Sequence, residues 1–313
     1  MKSKLIIGTR GSELALWQAR HVQERLAKRF PRLKIDLEII KTTGDRILNQ
    51  SLSKIGDKGL FTREIEEALL GRRVDIAVHS LKDLPTETPA GLRIAAVTKR
   101  EDVRDALISR SWPSLEALPE GATVATGSLR RRSQLLHLRP DLRIVDIRGN
   151  LNTRFARFDA SDWDAMILAC AGVMRLGLKQ RITQTLPTDL ILPAVGQGAL
   201  GVEIREDDEE AAYFVKVLDH AATRAAAGAE RSLLRALEGG CQIPIGAYAR
   251  MQEGRLVLDA MVGTLDGLTR LDARASTADM GKAASMGARL AAKLIRNGAR
   301  DILREIRTKG AVE

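Results

Sequence analysis

Ser128 is preceded by Thr126 and followed by Leu129 and three consecutive arginines, Arg130, Arg131 and Arg132. A serine in that place caps a helix, and the first turn of a helix already carries partial positive charge and free N–H donors. Three guanidinium groups there are unfavourable unless an anion neutralises them. The hydroxyls, the free N–H groups and the guanidinium forks together suit a carboxylate or a phosphate. The plainer reading is a solvated basic face. Two further turns argue against it, because Arg10 and Ser12 flank Gly11 in the same way, and Arg148 and Arg154 flank a third turn. Between Thr126 and Arg154 seven arginines stand against two aspartates, a net of +5 out of +10 for the chain. Basic turns repeated at several strand ends predict an arginine-lined cleft for a multiply carboxylated ligand.

Other reactive side chains are less telling alone. Asp83, in HSLKDLP, reads equally as a turn former or as a carboxylate kept ionised by nearby cations. Residues 44–59 have no clear period and carry Lys54 and Lys58, which fits either a lid or a plain surface loop. Cys241 follows two glycines in EGGCQIPIG, so its thiol is either accessible and reactive or inert, whereas Cys170 ends the apolar run AMILAC and reads as core. The four histidines are scattered, no cysteine has a partner at metal-ligand spacing, and no metal is expected. Gly196-Gln197-Gly198 lacks the strand–glycine–helix setting of a dinucleotide site.

The elements that must position these groups alternate. Strands are expected at 4–8, 34–41, 75–78 and 92–97, with helices at 13–29 and 62–70. The middle third repeats the pattern, with strands at 123–126, 143–147 and 165–169 and helices at 129–138 and 152–158. GTRGS and ATGSLR are the matched pieces, each a strand leading into a serine-capped helix. Two similar α/β domains, mainly parallel and joined by a crossover at 99–105, follow from this. The last third changes to one alanine-rich helix over 208–237, then three strands and a helix over 280–297, a smaller α+β domain.

Composition narrows the classes. A chain of 313 residues exceeds one ordinary core and predicts two or three domains. Only two cysteines, far apart, argue for a reducing cytosol. No run is long enough to cross a membrane, and the N-terminus does not read as a secretory signal. The positive charge invites a nucleic-acid reading, but 3% aromatic residues and the lack of a recognised motif count against it. A carboxylate-binding protein without chemistry explains the arginine turns but leaves Cys241 without a purpose.

Taken together, IIGTRGSELALWQA, GDKGLFTREIE, VDIAVHSLKDLPT, ATGSLRRRSQLL, IRGNLNTR, LPAVGQGALGVEIR and GGCQIPIGAY closely resemble the porphobilinogen deaminase (hydroxymethylbilane synthase) family. They run from Ile6 to Tyr248, about four-fifths of the chain. The resemblance implies two type II periplasmic-binding-protein-like domains with a cleft, plus a smaller C-terminal α+β domain. It places domain 1 at 1–98 and 199–216, domain 2 at 104–192 and domain 3 at 221–313. It implies a dipyrromethane cofactor on a thioether at Cys241, with Ser80, Lys82, Thr126, Ser128, Arg130 and Arg131 around it. Arg10, Ser12, Phe61, Arg148, Arg154, Arg175 and Gln197 are implied to meet substrate or product, and Arg132 to share that charge or face solvent. Asp83 matches the catalytic aspartate, and Lys54 and Lys58 lie in a loop that covers the site. The implied reaction joins four porphobilinogen units into a linear tetrapyrrole, in a cytoplasmic monomer that needs neither nucleic acid nor membrane.

Overall fold

The computed structural model describes residues 2–46, 59–237 and 243–310. Lys54, Lys58 and Cys241 lie outside the described residues. The first unit begins with β1 (Lys4–Thr9) and α1 (Glu13–Arg29). Ser12 starts the helix in an extended backbone, its side chain accepting from the Ala15 N–H, and Phe30 closes it ahead of Pro31. β2 (Lys34–Ile39), the short α2 (Thr43–Arg46), α3 (Arg63–Leu70), β3 (Ile76–Ser80) and β4 (Leu92–Val97) follow. A single 3₁₀ turn, Leu81–Asp83, leaves the end of β3.

The second unit holds β5 (Asp105–Ser109), β6 (Thr123–Ala125), α4 (Leu129–Leu138), β7 (Arg143–Val145), α5 (Leu151–Asp159), β8 (Ala165–Ala169), α6 (Cys170–Arg175) and β9 (Gln184–Leu186). The chain then returns to the first sheet as β10 (Leu200–Arg205). The sheet orders are β2-β1-β3-β10-β4 and β7-β6-β8-β5-β9. They match position for position. In each, three parallel strands are followed by an antiparallel strand that adjoins a crossover, β10 in the first and β5 in the second.

The expectation of mainly parallel connections therefore needs correction. Each sheet is mixed, and β5 and β9 escaped the pattern. Both are short, and β5 is buried along nearly its whole length, so no alternation marks it as a strand. The return through β10 came from the resemblance alone; all six of its residues are buried.

After α7 (Glu209–Val215) and α8 (Ala221–Ala236), β11 (Ile245–Gln252), β12 (Arg255–Gly263) and β13 (Arg270–Thr277) form an antiparallel meander, covered by α9 (Ala283–Leu294) and followed by α10 (Arg300–Gly310). The helix expected over 208–237 is two, because Lys216–Leu218 tightens into a 3₁₀ turn and His220 starts a new cap on the Thr223 N–H. The helix expected over 280–297 ends at Leu294 in a wide turn where Gly298 takes φ 106°. Helices α8 and α9 cross at Gly287, where a Cβ would sit 2.1 Å from the Ala229 carbonyl oxygen.

Separate apolar clusters support the three sheets. Leu5, Ile7, Ile76 and Val202 pack under Val22 and Leu26 of α1 in the first. The second sheet is covered on both faces, by Leu135 and Leu142 on one and by Phe155 and Phe158 on the other. Leu256, Leu258 and Val262 meet Leu233 and Leu290 in the third.

Candidate active site

The candidate residues gather where strands end and turns begin. Asp83 is exposed at the end of the turn after β3. Its neighbour Lys82 is half-buried, and burial lowers its ammonium pKa to about 8, with Asp83 and Asp105 opposing the fall and Arg131 and Arg130 adding to it. Ser80 is held by Gln18 of α1, whose side-chain nitrogen donates to the Ser80 hydroxyl at 2.8 Å. One wall of the site therefore depends on a helix that its own strand order brings alongside.

The second wall is the turn after β6. Thr126 is 4% exposed, its N–H bonded to the Val145 carbonyl at 2.8 Å and its hydroxyl accepting from the Ser128 N–H at 3.3 Å. Ser128 caps α4 by accepting from the Arg131 N–H. Gly127 has no room for a Cβ, which would lie 2.7 Å from an Asp146 carboxylate oxygen and 2.8 Å from the Ile147 carbonyl.

The arginines of that turn have an anion, and the protein supplies it. Asp105, the first residue of β5, is fully buried, with its two carboxylate oxygens 2.9 Å from Arg130 and 2.8 Å from Arg131. Burial alone would raise its pKa; Arg130 and Arg131 outweigh that and hold the carboxyl well below the usual carboxylate range. Arg130 also donates to the Leu192 carbonyl at 2.7 Å and Arg131 to the Ile167 carbonyl at 3.1 Å. Among the described residues, the buried Nε of Arg130 and that of Arg131 have no partner. Arg132 points the other way, donating to the Leu265 carbonyl at 3.2 Å.

Gln197 joins the walls. It is 1% exposed, and its side-chain nitrogen donates to the Val103 carbonyl at 2.7 Å and to Asp105 at 2.8 Å. Lys82 donates to its oxygen at 3.4 Å. Arg154 donates from Nε to the Gly149 carbonyl at 2.9 Å. Burial lowers its pKa to about 10, assisted by Arg131 and opposed by Asp83, so both lie near enough to act on its charge. Arg148 pairs with Asp146 at 2.7 Å. Arg175, 9% exposed, donates to the Gly198 carbonyl at 2.7 Å and lies 5.6 Å from the Trp17 ring.

Arg10 and Phe61 form a third group, with Ser12 beside it as the cap of α1. The Arg10 guanidinium pairs with Asp45 and stacks 4.3 Å from the Phe61 ring. Gly44 makes this possible, since a Cβ there would fall 2.3 Å from Phe61.

Sequence reasoning missed Asp105, Asp45 and Gln18. The usable signal for Asp105 was an acid opening an apolar run, DALIS, in a chain with an unmatched arginine cluster. Among the described residues, no three His, Cys, Asp or Glu side chains gather as a metal site, and no helix is long and apolar enough to cross a membrane.

Comparison with known proteins decides the family. Residues 5–213 match the model described as "Porphobilinogen deaminase, dipyromethane cofactor binding domain", and residues 225–296 match "Porphobilinogen deaminase, C-terminal domain". The chain belongs to the porphobilinogen deaminase family. It is an enzyme of tetrapyrrole biosynthesis, and both larger sheets fall within the family's cofactor-binding region. The Porphobilinogen deaminase of Chloroherpeton thalassium is 56% identical over 99% of this chain and 100% of its own length. That of Chlorobaculum tepidum is 54% identical over 98% and 99%. The chain is also similar to solved structures of the aliphatic sulphonate binding protein SsuA from Escherichia coli (18% identity, 76% and 71% of the two chains, TM-score 0.41) and of a YaeC-family lipoprotein from Enterococcus faecalis (14%, 69% and 91%, TM-score 0.44). Two like α/β sheets and a smaller third one give the family chain the fold class expected of it.

Proposed function

We propose that the protein joins four porphobilinogen molecules head to tail, releasing ammonia at each step, on a dipyrromethane held by a thioether at Cys241. The observation that supports this most directly is the placement of one exposed carboxylate, Asp83, among Lys82, Arg131 and Arg154. The donor set fits a polycarboxylated pyrrole. Among the described residues, two buried guanidiniums and a nearby ammonium face one buried carboxylate, and two buried Nε donors lack an acceptor. Acetate and propionate groups supply the missing negative charge.

The dipyrromethane, when bound, supplies the free pyrrole carbon on which the chain grows. Lys82, Ser80, Thr126, Ser128, Arg130 and Arg131 hold its carboxylates, while Arg10, Ser12, Arg148, Arg154, Arg175, Gln197 and Phe61 receive substrate and product. Loss of ammonia from porphobilinogen leaves a cationic methylene-pyrrolenine. Asp83 stabilises that charge electrostatically and then takes the ring proton released when the new carbon–carbon bond has formed. Lys54 and Lys58, outside the described residues, keep the covering role that the family resemblance gives their loop. The same reading keeps the domains at 1–98 with 199–216, 104–192 and 221–313, in a cytoplasmic monomer.

Intact-mass spectrometry of the purified protein beside Cys241→Ser tests the proposal. Two linked pyrrole units should add to the native mass and be missing from the variant. A native mass that stays unmodified even after incubation with porphobilinogen overturns it. Asp83→Asn should fold normally and lose roughly 100-fold or more in turnover; normal product formation would remove Asp83 from the chemistry.

A further inference from the structure

The two crossovers between the larger sheets meet at Gln197. Its backbone is gripped from several sides. Arg100 donates to its carbonyl at 2.7 Å, Glu230 accepts from the Gly196 N–H at 2.7 Å, and Arg175 donates to the Gly198 carbonyl. Gly196 and Gly198 take φ of 74° and 91°, and a Cβ on Gly198 would lie 2.7 Å from the Glu101 carbonyl oxygen. The segment has one shape available to it, so the side chain of Gln197 is aimed by its backbone.

The orientation of the carboxamide follows from its neighbours. Two acceptors, the Val103 carbonyl and Asp105, lie on one side, so the nitrogen must face them. The oxygen is thereby turned toward Lys82. One side chain thus touches the anion of one wall and the cation of the other. It is buried, and its polar atoms are engaged within the protein.

We propose that Gln197 is a positioning residue that couples Lys82 to the Asp105–Arg130–Arg131 ion cluster and so fixes the spacing of cations across the cleft. The inference rests on the proposed function for what those cations hold. Lys82 is faced by Asp83 on its own turn and by Asp105, Arg130 and Arg131 from the second wall. The Gln197 carbonyl dipole favours the charged ammonium, which burial disfavours.

The test compares Gln197→Met and Gln197→Glu, both close in shape to glutamine. The titration of Lys82 is followed by NMR after reductive ¹³C-methylation, with Lys82→Arg to assign the signal, alongside the pH profile of porphobilinogen turnover. Without the carboxamide oxygen, Gln197→Met should move the Lys82 midpoint and the alkaline limb of the profile down by roughly half a unit or more. With a carboxylate there, Gln197→Glu should move both up by about one unit. Turnover of Gln197→Met at neutral pH should fall roughly tenfold through misplaced groups. A residue that only maintains the fold would shift neither midpoint, or both in the same direction, and either result overturns the proposal. If Gln197→Met does not fold, Gln197→Asn replaces it, since its shorter amide cannot span Asp105 and Lys82; an unshifted Lys82 in that variant is equally fatal. Wild-type protein that makes no tetrapyrrole, with the two variants still shifting Lys82 in opposite directions, sinks the functional reading and leaves the coupling intact.

Discussion

The turn after β1 and the turn after β6 are built alike and neutralise their arginines differently. Both leave the end of a strand, and in both a serine in extended backbone caps a helix by accepting from the N–H three residues on. Arg10 stands two residues before its serine, and Glu13 occupies the first helical turn beside it. Its guanidinium stays part-exposed and pairs with an equally part-exposed Asp45. Arg130 and Arg131 stand two and three residues after theirs, in a first turn without an acid, and are 4% and 5% exposed. Position relative to the cap decides whether an arginine reaches water. Once it does not, the fold must bring a carboxylate from elsewhere, and Asp105 arrives from the neighbouring crossover.

Removing the two counterions is the harshest way to break that comparison. Asp105→Asn leaves two buried guanidiniums without their anion and should cost about 3–5 kcal/mol, read from chemical denaturation. Asp45→Asn should cost about 1 kcal/mol or less, because solvent screens a pair whose side chains are 23% and 27% exposed. Equal losses would mean that burial does not separate the two turns.

Acid sharpens the contrast. The depressed folded-state pKa of Asp105 makes its contribution fully present above the unfolded value, near 4, and lost as pH falls toward the folded one. The stability gap between wild type and Asp105→Asn should hold steady from neutral pH to about 5 and narrow below about 4. A gap that stays unchanged below pH 4 would show that Asp105 titrates as an ordinary carboxylate. The caps give effects of the same small size as the Asp45 pair. Ser12→Ala and Ser128→Ala should each cost about 1 kcal/mol and add in the double variant. Marked non-additivity would show that the two turns are coupled.

The local parts of this arrangement are legible in the chain. Serine caps, Pro31 and the amphipathic run of α1 place the helices, and the doubled motif exposes the two matched units. Paired sites were harder to read. Asp105 lies 25 residues before Arg130, and only β5 pairing against β8 brings the two together. Sequence reasoning therefore saw the external anion and missed the one that the protein itself supplies. Gln197 carried the same difficulty, since a glutamine between two glycines signals a turn and says nothing of which side chains its amide will meet. The single helix expected over 208–237 failed for another reason: alanine favours helix throughout, and only the His220 cap reveals the break.

The swapped strands also set a schedule. Every strand of the second sheet lies within Asp105–Leu186, so that sheet can be completed as soon as its own stretch has emerged from the ribosome. The first sheet cannot. Between β3 and β4 there is a gap that only Leu200–Arg205 fills. The unit begun first during synthesis is finished second, and until then the exposed edges of β3 and β4 wait for a strand still to be made.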